Sequence, residues 1–343
     1  MARLTSIDDV ARASGVSTAT VSRALRGLPN VSPATRETVL ATAEQLGYVV
    51  SSSASGLATG RTLAMGVVVP NVSRWFYATV LEGIDAALRR VGYDTILFNL
   101  GLRGEDRERV FHRSILRKRT DAVIALCLDF TPAEREQLAS LGHPTIVVGG
   151  PIPGLRHLGV DELAVARAAT AHLIALGHRQ IGHLAGIPEP GLNKRVPQRR
   201  RRGYELALSS AGLSARPEWI EPSDFQISGA REAALRLLRR EPRPTALFAA
   251  SDEMAIGAIL AARELGLDVP RELSVIGIDN HALAETFGLT TIAQDAFGQG
   301  RLAAELMLDE LAGAPPRVGQ LHVPATLIER ATTAPPASRT QVE

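Results

Sequence analysis

The 343-residue chain has one cysteine, Cys127. A disulfide framework and a cysteine-rich zinc module are therefore excluded. The eight histidines are scattered, and His172, His178 and His183 come nearest to a cluster. Their spacing fits no standard metal pattern, so neither a metal nor a cofactor is expected. Lysine occurs only at Lys118 and Lys194; arginine carries the rest of the positive charge, which reads as base composition rather than function. The net charge of +2 excludes a global polycation, so any nucleic-acid site must be local. No apolar window reaches the ~18 residues of a spanning helix. The first residues, MARLTSIDDVARASG, place acids at Asp8 and Asp9 and hold no long apolar core. They do not read as a secretory signal, and the expected location is the cytoplasm.

What is present is a globular composition, 45% hydrophobic and 22% charged. The length suggests two or three domains. Residues 1–48 are dense in helix punctuation. Ser6 precedes Ile7-Asp8-Asp9 as a cap followed by first-turn acids, and Ser14-Gly15 ends that helix. Ser17 can cap a second helix, Thr18 to Leu25, with Val21 and Leu25 inward. Gly27-Leu28-Pro29-Asn30 is a turn. Ser32-Pro33 opens a third helix to about Leu46, with Val39, Leu40, Ala43 and Leu46 as its apolar stripe.

Residues 49–62, VVSSSASGLATGRT, turn to serine and glycine and read as a linker or a weak helix. From residue 63 to 330, strand and helix patterns alternate. Strands are expected at Met65–Val69, Thr95–Phe98, Ala122–Leu126, Thr145–Val148, Ile181–Ala185, Ala246–Ala249 and Ser274–Ile278. Glycines 92, 142, 177, 212 and 266 fit helix C-caps before the next strand. Repeated helix–glycine–strand units imply parallel sheets flanked by helices, and the length implies two lobes. Residues 331–343 are polar and proline-containing, and are expected to be disordered.

Three stretches carry a resemblance: SIDDVARASGVSTATVSRALRG from Ser6, VSPATRETV from Val31, and Leu46-Gly47-Tyr48. They closely resemble the DNA-binding domain of the LacI/GalR repressor family, and the rest of the chain resembles that family's effector core. The resemblance implies a small all-α helix-turn-helix domain followed by a two-lobed α/β core of the periplasmic-binding-protein-like type I. Each lobe would be a parallel sheet flanked by helices. The expected division is 1–48 for DNA binding, 49–62 for a hinge and 63–330 for the effector-binding and dimerisation core. The first lobe would take about 63–161 and 295–322, the second about 163–292 and 324–330.

A helix-turn-helix sets the N-terminal residues of its second helix against base edges in the major groove. Here these are Thr18, Ala19 and, one turn on, Arg23, whose guanidinium can fork onto guanine. By family position these three are the base readers. Ser17, Thr20, Ser22, Ser32 and Thr35 are candidates for phosphate contacts, with ordinary helix capping as the plain alternative. Residues 1–62 hold six arginines against four acids. The charge is weak, so two copies reading two half-sites would bind far better than one. The resemblance makes Leu57 the minor-groove wedge of a hinge helix that forms on DNA. Val50-Ser51 and Ser55 depart from the family's usual Pro-Asn and arginine.

In open parallel sheets, ligands sit beyond the carboxyl ends of the strands. That rule selects Asn71, Asn99, Cys127, Gly149, Gly186, Ser251 and Asp279. The resemblance adds Trp75 and Phe76 after the first strand, Arg200 in the run Lys194–Arg202, Phe225 after Asp224, and Gln294 before Asp295. Together they suit a sugar or polyol: aromatic faces for the apolar side of a ring, Asp279 to accept, Arg200 to donate, Gln294 to do both. Plain core packing for the aromatics, a solvated face for most of the basic run and a turn cap for Asp279 remain alternatives.

Enzyme signals are thin. Gly298-Gln-Gly300-Arg-Leu-Ala303 matches a loose dinucleotide fingerprint, but it does not follow a strand and reads as a helix start. A secreted sugar-binding protein and a dehydrogenase are the rival classes. The expected protein is a non-enzymatic, ligand-responsive repressor of sugar or polyol genes. Its partners would be a palindromic double-stranded DNA operator, a small-molecule effector and a second copy of itself, with no membrane. With no leucine heptads after Arg330, a dimer is expected rather than a tail-built tetramer.

Overall fold

A computed structural model describes residues 5–25, 27–48, 61–101, 107–108, 110–111, 115–188, 191–317 and 319–337. Leu57 and the hinge expected around it lie outside the described residues. The chain divides into two units, Met1–Leu63 and Ala64–Glu343.

The first unit holds α1 (Ile7–Ser14), α2 (Thr18–Leu25) and α3 (Pro33–Gln45). Each start has a local chemical cause. The Ser6 hydroxyl accepts from Asp9 N–H while the Asp9 carboxylate accepts from Ser6 N–H, a reciprocal capping box. Ser17 Oγ accepts from Thr20 N–H at 3.2 Å, and Ser32 Oγ from Thr35 N–H at 3.1 Å ahead of Pro33. Caps of this kind contribute about 1 kcal/mol each. Gly15 ends α1 at φ 68°, left-handed backbone that glycine adopts without a side-chain clash. The core is small: Val10, Ala11, Val21, Ala24, Val39 and Ala43. The expected stripe of α3 is corrected at two positions, since Leu40 and Leu46 are exposed. Val39 and Ala43, four apart, suffice to face two short helices, and the stripe is narrower than the leucine pattern suggests.

In the second unit, two six-stranded sheets each carry helices. The first lobe contains β1 (Ala64–Val69), α4 (Trp75–Arg89), β2 (Asp94–Asn99), α5 (Ile115–Arg119), β3 (Ala122–Leu126), α6 (Pro132–Ser140), β4 (Thr145–Val148) and β5 (His157–Gly159). The chain then crosses to the second lobe. There it forms α7 (Glu162–Ala175), β6 (Ile181–Gly186), α8 (Arg195–Ser210), β7 (Ile220–Ser223), α9 (Ile227–Leu238), β8 (Ala246–Ala249), α10 (Asp252–Glu264), β9 (Ser274–Asp279) and β10 (Thr290–Ala293). It returns with α11 (Ala296–Leu311) and β11 (Gln320–His322), and crosses a last time to β12 (Thr326–Ile328). The sheet orders are β11-β5-β4-β3-β1-β2 and β12-β10-β9-β8-β6-β7. Every pairing is parallel except β10 with β12, which run antiparallel. The second sheet is thus mixed at its edge, because β12 arrives directly from the other lobe without a crossover helix.

Central strands are buried along their whole length, as a sheet covered on both faces requires. Helices α4 and α11 cross closely. A Cβ at Gly83 would lie 2.1 Å from Phe297 O, and one at Gly300 would lie 2.0 Å from Val80 O. Of the glycines in the loose dinucleotide pattern, Gly300 therefore serves helix packing, while Gly298 makes room for the capping carboxylate of Asp295.

The expectation of disorder from residue 331 is corrected for 331–337. Thr332 is buried; its carbonyl accepts from Val275 N–H at 2.7 Å and its hydroxyl donates to Val275 O at 2.7 Å. His178 Nε2 meets Ala334 O at 2.9 Å, and Ser274 Oγ donates to the same carbonyl. Polar composition suggested solvation, but those polar groups are satisfied by the edge of the second lobe.

Candidate DNA-reading helix and effector cleft

On α2, Thr18, Ala19 and Arg23 are exposed, while Val21 and Ala24 turn to the core. The helix thus presents one face made of the three expected base readers. Ser17 pairs with Thr20 (2.9 Å between hydroxyls) and Ser32 with Thr35 (2.8 Å). These hydroxyls cap helices and also sit at helix N-termini, where N–H dipoles favour phosphate. Ser22 is half-buried one turn along. Arg36 is committed to the fold, donating to Ala24 O at 2.9 Å and Leu28 O at 2.7 Å, which ties down the turn after α2.

The second unit has a cleft between its lobes, with about 740 Å³ of open space. Seven of the nine expected effector residues line it: Phe76, Cys127, Arg200, Phe225, Ser251, Asp279 and Gln294. They stand at the carboxyl ends of strands or the first turns of the following helices. Cys127 adopts φ 47° directly after β3, and Asp279 φ 137° at the end of β9. Ser251 caps α10, its oxygen accepting from Met254 N–H at 3.3 Å.

Two expected residues are placed elsewhere. Asn71 Oδ1 accepts from the Ser73 amide at 3.0 Å and hydroxyl at 2.9 Å, a local turn outside the cleft lining. Trp75 packs across the lobes against His281, ring centroids 4.7 Å apart and the planes tilted by 40°. An indole that finds a ring partner in the other lobe gains more from that contact than from facing open space.

Arg200 is buried, and its donors are largely taken. Nε donates to Glu162 Oε2 at 2.6 Å and Nη1 to Ala250 O. Nη2 makes no hydrogen bond to another described residue. Burial works against the guanidinium charge, but Glu162 and Asp279 more than offset it and raise its pKa. Gln294 Nε2 donates to Asp279 Oδ1, and its Oε1 accepts from Gln299 Nε2 at 3.3 Å, so the amide is itself held in place. Behind this layer Asp252 is fully buried, accepting from Thr291 Oγ1 at 2.7 Å and His281 N–H at 2.8 Å. Burial and mutual repulsion push the Asp252 carboxyl up, and burial pushes Asp279 up against the opposing pull of Arg200. Burial, reinforced by Asp279, also raises Glu253 to about 7. The Cys127 thiol is pushed up to about 12 by burial, with Glu162 adding to it.

Sequence reasoning missed Glu162, Glu253, Asn193, Arg74 and Tyr77, all of which line the cleft. Arg74 and Tyr77 flank the expected aromatic pair and were within reach of the same rule. Glu162 was not, because its role depends on Arg200 from a different helix. Among the described residues no cluster of His, Cys, Asp or Glu could hold a metal ion, and no helix is long and apolar enough to cross a membrane.

Two family models match the chain. Bacterial regulatory proteins of the lacI family cover residues 6–51, and the periplasmic binding protein-like domain covers 170–333. Catabolite control protein A of Priestia megaterium is 35% identical over 308 residues, 88% of this chain and 91% of that protein. The chain belongs to the LacI family of bacterial transcriptional regulators.

Other LacI-family likenesses span nearly the whole chain. The transcriptional repressor PurR of Vibrio vulnificus is 34% identical over 90% of this chain and 92% of its own length. Among solved structures, the lac repressor dimer bound to operator and the anti-inducer ONPF matches with TM-score 0.85 at 26% identity, covering 97% and 100% of the two chains. The transcriptional regulator CelR in complex with cellobiose matches with TM-score 0.71 at 30% identity, covering 96% and 99%. Within this family the α2 face described above belongs to the DNA-binding domain and the cleft to the ligand-responsive core.

Proposed function

We propose that this LacI-family regulator is a cytoplasmic, non-enzymatic repressor of sugar or polyol transport and catabolism genes. It binds a palindromic operator as a homodimer, and a small neutral polyol in the cleft alters its DNA affinity. Thr18, Ala19 and Arg23 read bases; Ser17, Thr20, Ser22, Ser32 and Thr35 contact the backbone; Leu57 wedges the minor groove.

The observation that carries the effector reading is the set Asp279, Gln294 and Arg200 lining the same cleft as the rings of Phe76 and Phe225. A hydroxyl both donates and accepts, so it can bridge the Arg200 Nη2 donor and an acceptor such as Asp279. The rings supply flat faces for the C–H side of a sugar. Glu162, Glu253 and Asp279 all face the same space, while Arg200 is already paired with Glu162. Against these three carboxyl groups stand Arg74 and Arg200, so an anionic effector would find no excess of positive charge. The cellobiose complex of CelR supports a sugar for a protein of this fold.

A thermal-shift screen of sugars, polyols, purines and amino acids tests the class. Sugars or polyols should raise Tm; a shift with purines or amino acids alone rejects the polyol reading and leaves the regulator reading standing. Asp279→Ala should abolish the shift and the effector response while operator binding persists in a mobility-shift assay.

A further inference from the structure

Leu192 lies between β6 and α8 and so belongs by chain to the second lobe. Its side chain packs into the hydrophobic core of the first lobe, the cluster containing Leu128, Phe130 and Ile152. The backbone around it forms an antiparallel bridge, Leu128 with Leu192. Asn193 N–H donates to Cys127 O at 2.8 Å, and Asp129 N–H donates to Gly191 O at 3.1 Å. The Asn193 side chain, 4% exposed, donates from Nδ2 to Gly150 O at 2.7 Å. Arg107 of the first lobe completes the arrangement. It donates to Gly191 O at 3.0 Å and to Asp129 O, and it is held by both oxygens of Glu134 at 2.6 and 2.9 Å.

We propose that Gly191–Asn193 is a cross-lobe latch, which holds the two lobes together beside the cleft. Parting the lobes here would pull a leucine out of a packed core and strip the buried Asn193 amide and two backbone groups of their partners. Both losses oppose opening, and neither depends on a ligand. The latch adds to the three chain crossings that already join the lobes. Leu192, Asn193 and Cys127 also line the cleft, so an effector held there lies beside the latch. An effector alters DNA affinity only through its preference for one lobe arrangement, and the latch sets where that equilibrium rests beforehand.

The native chain carries its own reporter. Cys127 is the one cysteine, its carbonyl is part of the bridge, and burial pushes its thiol up to about 12. Because Cys127 also lines the cleft, maleimide labelling of the full-length protein is read as the ratio of variant to wild-type rate, which reports the access gained when the bridge at its carbonyl is loosened. Leu192→Ala and Asn193→Ala should each speed it by about tenfold or more while far-UV circular dichroism is unchanged; tenfold corresponds to about 1.4 kcal/mol taken from the closed state. Unchanged rates in the folded variants overturn the latch. If Leu192→Ala does not fold, Asn193→Ala decides alone. Spin labels at Glu136→Cys and Ser209→Cys, in a Cys127→Ser background, separate lobe parting from local loosening. Asn193→Ala should broaden their distance distribution toward longer values, and an unchanged distribution also overturns the proposal.

Discussion

The ring of Phe225 lies directly over the backbone of Gly186: a Cβ built on that glycine would fall 2.2 Å from Phe225 Cζ. Gly186 ends β6, and Phe225 follows β7, its neighbour in the sheet. The glycine is therefore the seat of the aromatic wall of the cleft. Gly186→Ala should push the ring from its position and weaken effector binding by about tenfold, the cost of losing roughly 1–2 kcal/mol of ring contact. Calorimetric titration measures it, and an unchanged Kd would show that Phe225 does not contact the effector. Operator affinity without effector should be unaltered.

Arg23 stands exposed on α2 beside Thr18 and Ala19. Arg23→Ala should cost about 1–3 kcal/mol on the specific operator and relax preference at one base pair per half-site. Equal losses on specific and random DNA would instead place Arg23 on phosphate.

His183 is fully buried between Tyr204 and Phe248, with ring centroids 5.0 and 4.7 Å away. Its Nδ1 donates to Phe248 O at 2.9 Å, and Nε2 has no partner among the described residues. Burial lowers its pKa from 6.5 to about 4. Between these values the unfolded chain binds a proton that the native state refuses. The stability contribution is whole above pH 6.5, falls as pH drops toward 4, and changes no further below it. His183→Phe keeps the stack and removes the titration. Relative to wild type, it should gain about 3 kcal/mol between pH 7.5 and 4. Urea unfolding at the two pH values measures the difference, and a pH-independent difference would mean that His183 takes up its proton in the native core as readily as in the unfolded chain.

Leu57 carries a prediction from sequence. Leu57→Ala should reduce specific affinity and DNA bending, while the salt-dependent nonspecific binding, carried by phosphate contacts, should change little. Electrophoretic bending assays and salt titrations read the two separately. A matching loss on random DNA would argue against a wedge.

Local signals in the sequence carried most of the architecture. The caps at Ser6, Ser17 and Ser32 placed all three helices of the first unit, because a cap acts on residues two or three positions away. The seven strongly apolar runs were all found as strands within a residue at each end. The three-residue strands β5, β11 and β12 left no such pattern. They exist because a neighbour in the sheet completes their hydrogen bonds. The strand-end rule and the family resemblance together found seven cleft residues, since sheet topology aims those positions at one place.

What the sequence by itself determined is the set of elements and the carboxyl-end positions, both set by periodicity and short-range hydrogen bonding. Only the tertiary structure decided which side chains meet. Glu162 occupies Arg200 from 38 residues away, Trp75 leaves the cleft lining for His281, Leu192 enters the core of the other lobe, and residues 331–337 find a docking edge. Each of these contacts joins segments far apart in the chain, where packing and the satisfaction of buried polar groups prevail over local preference.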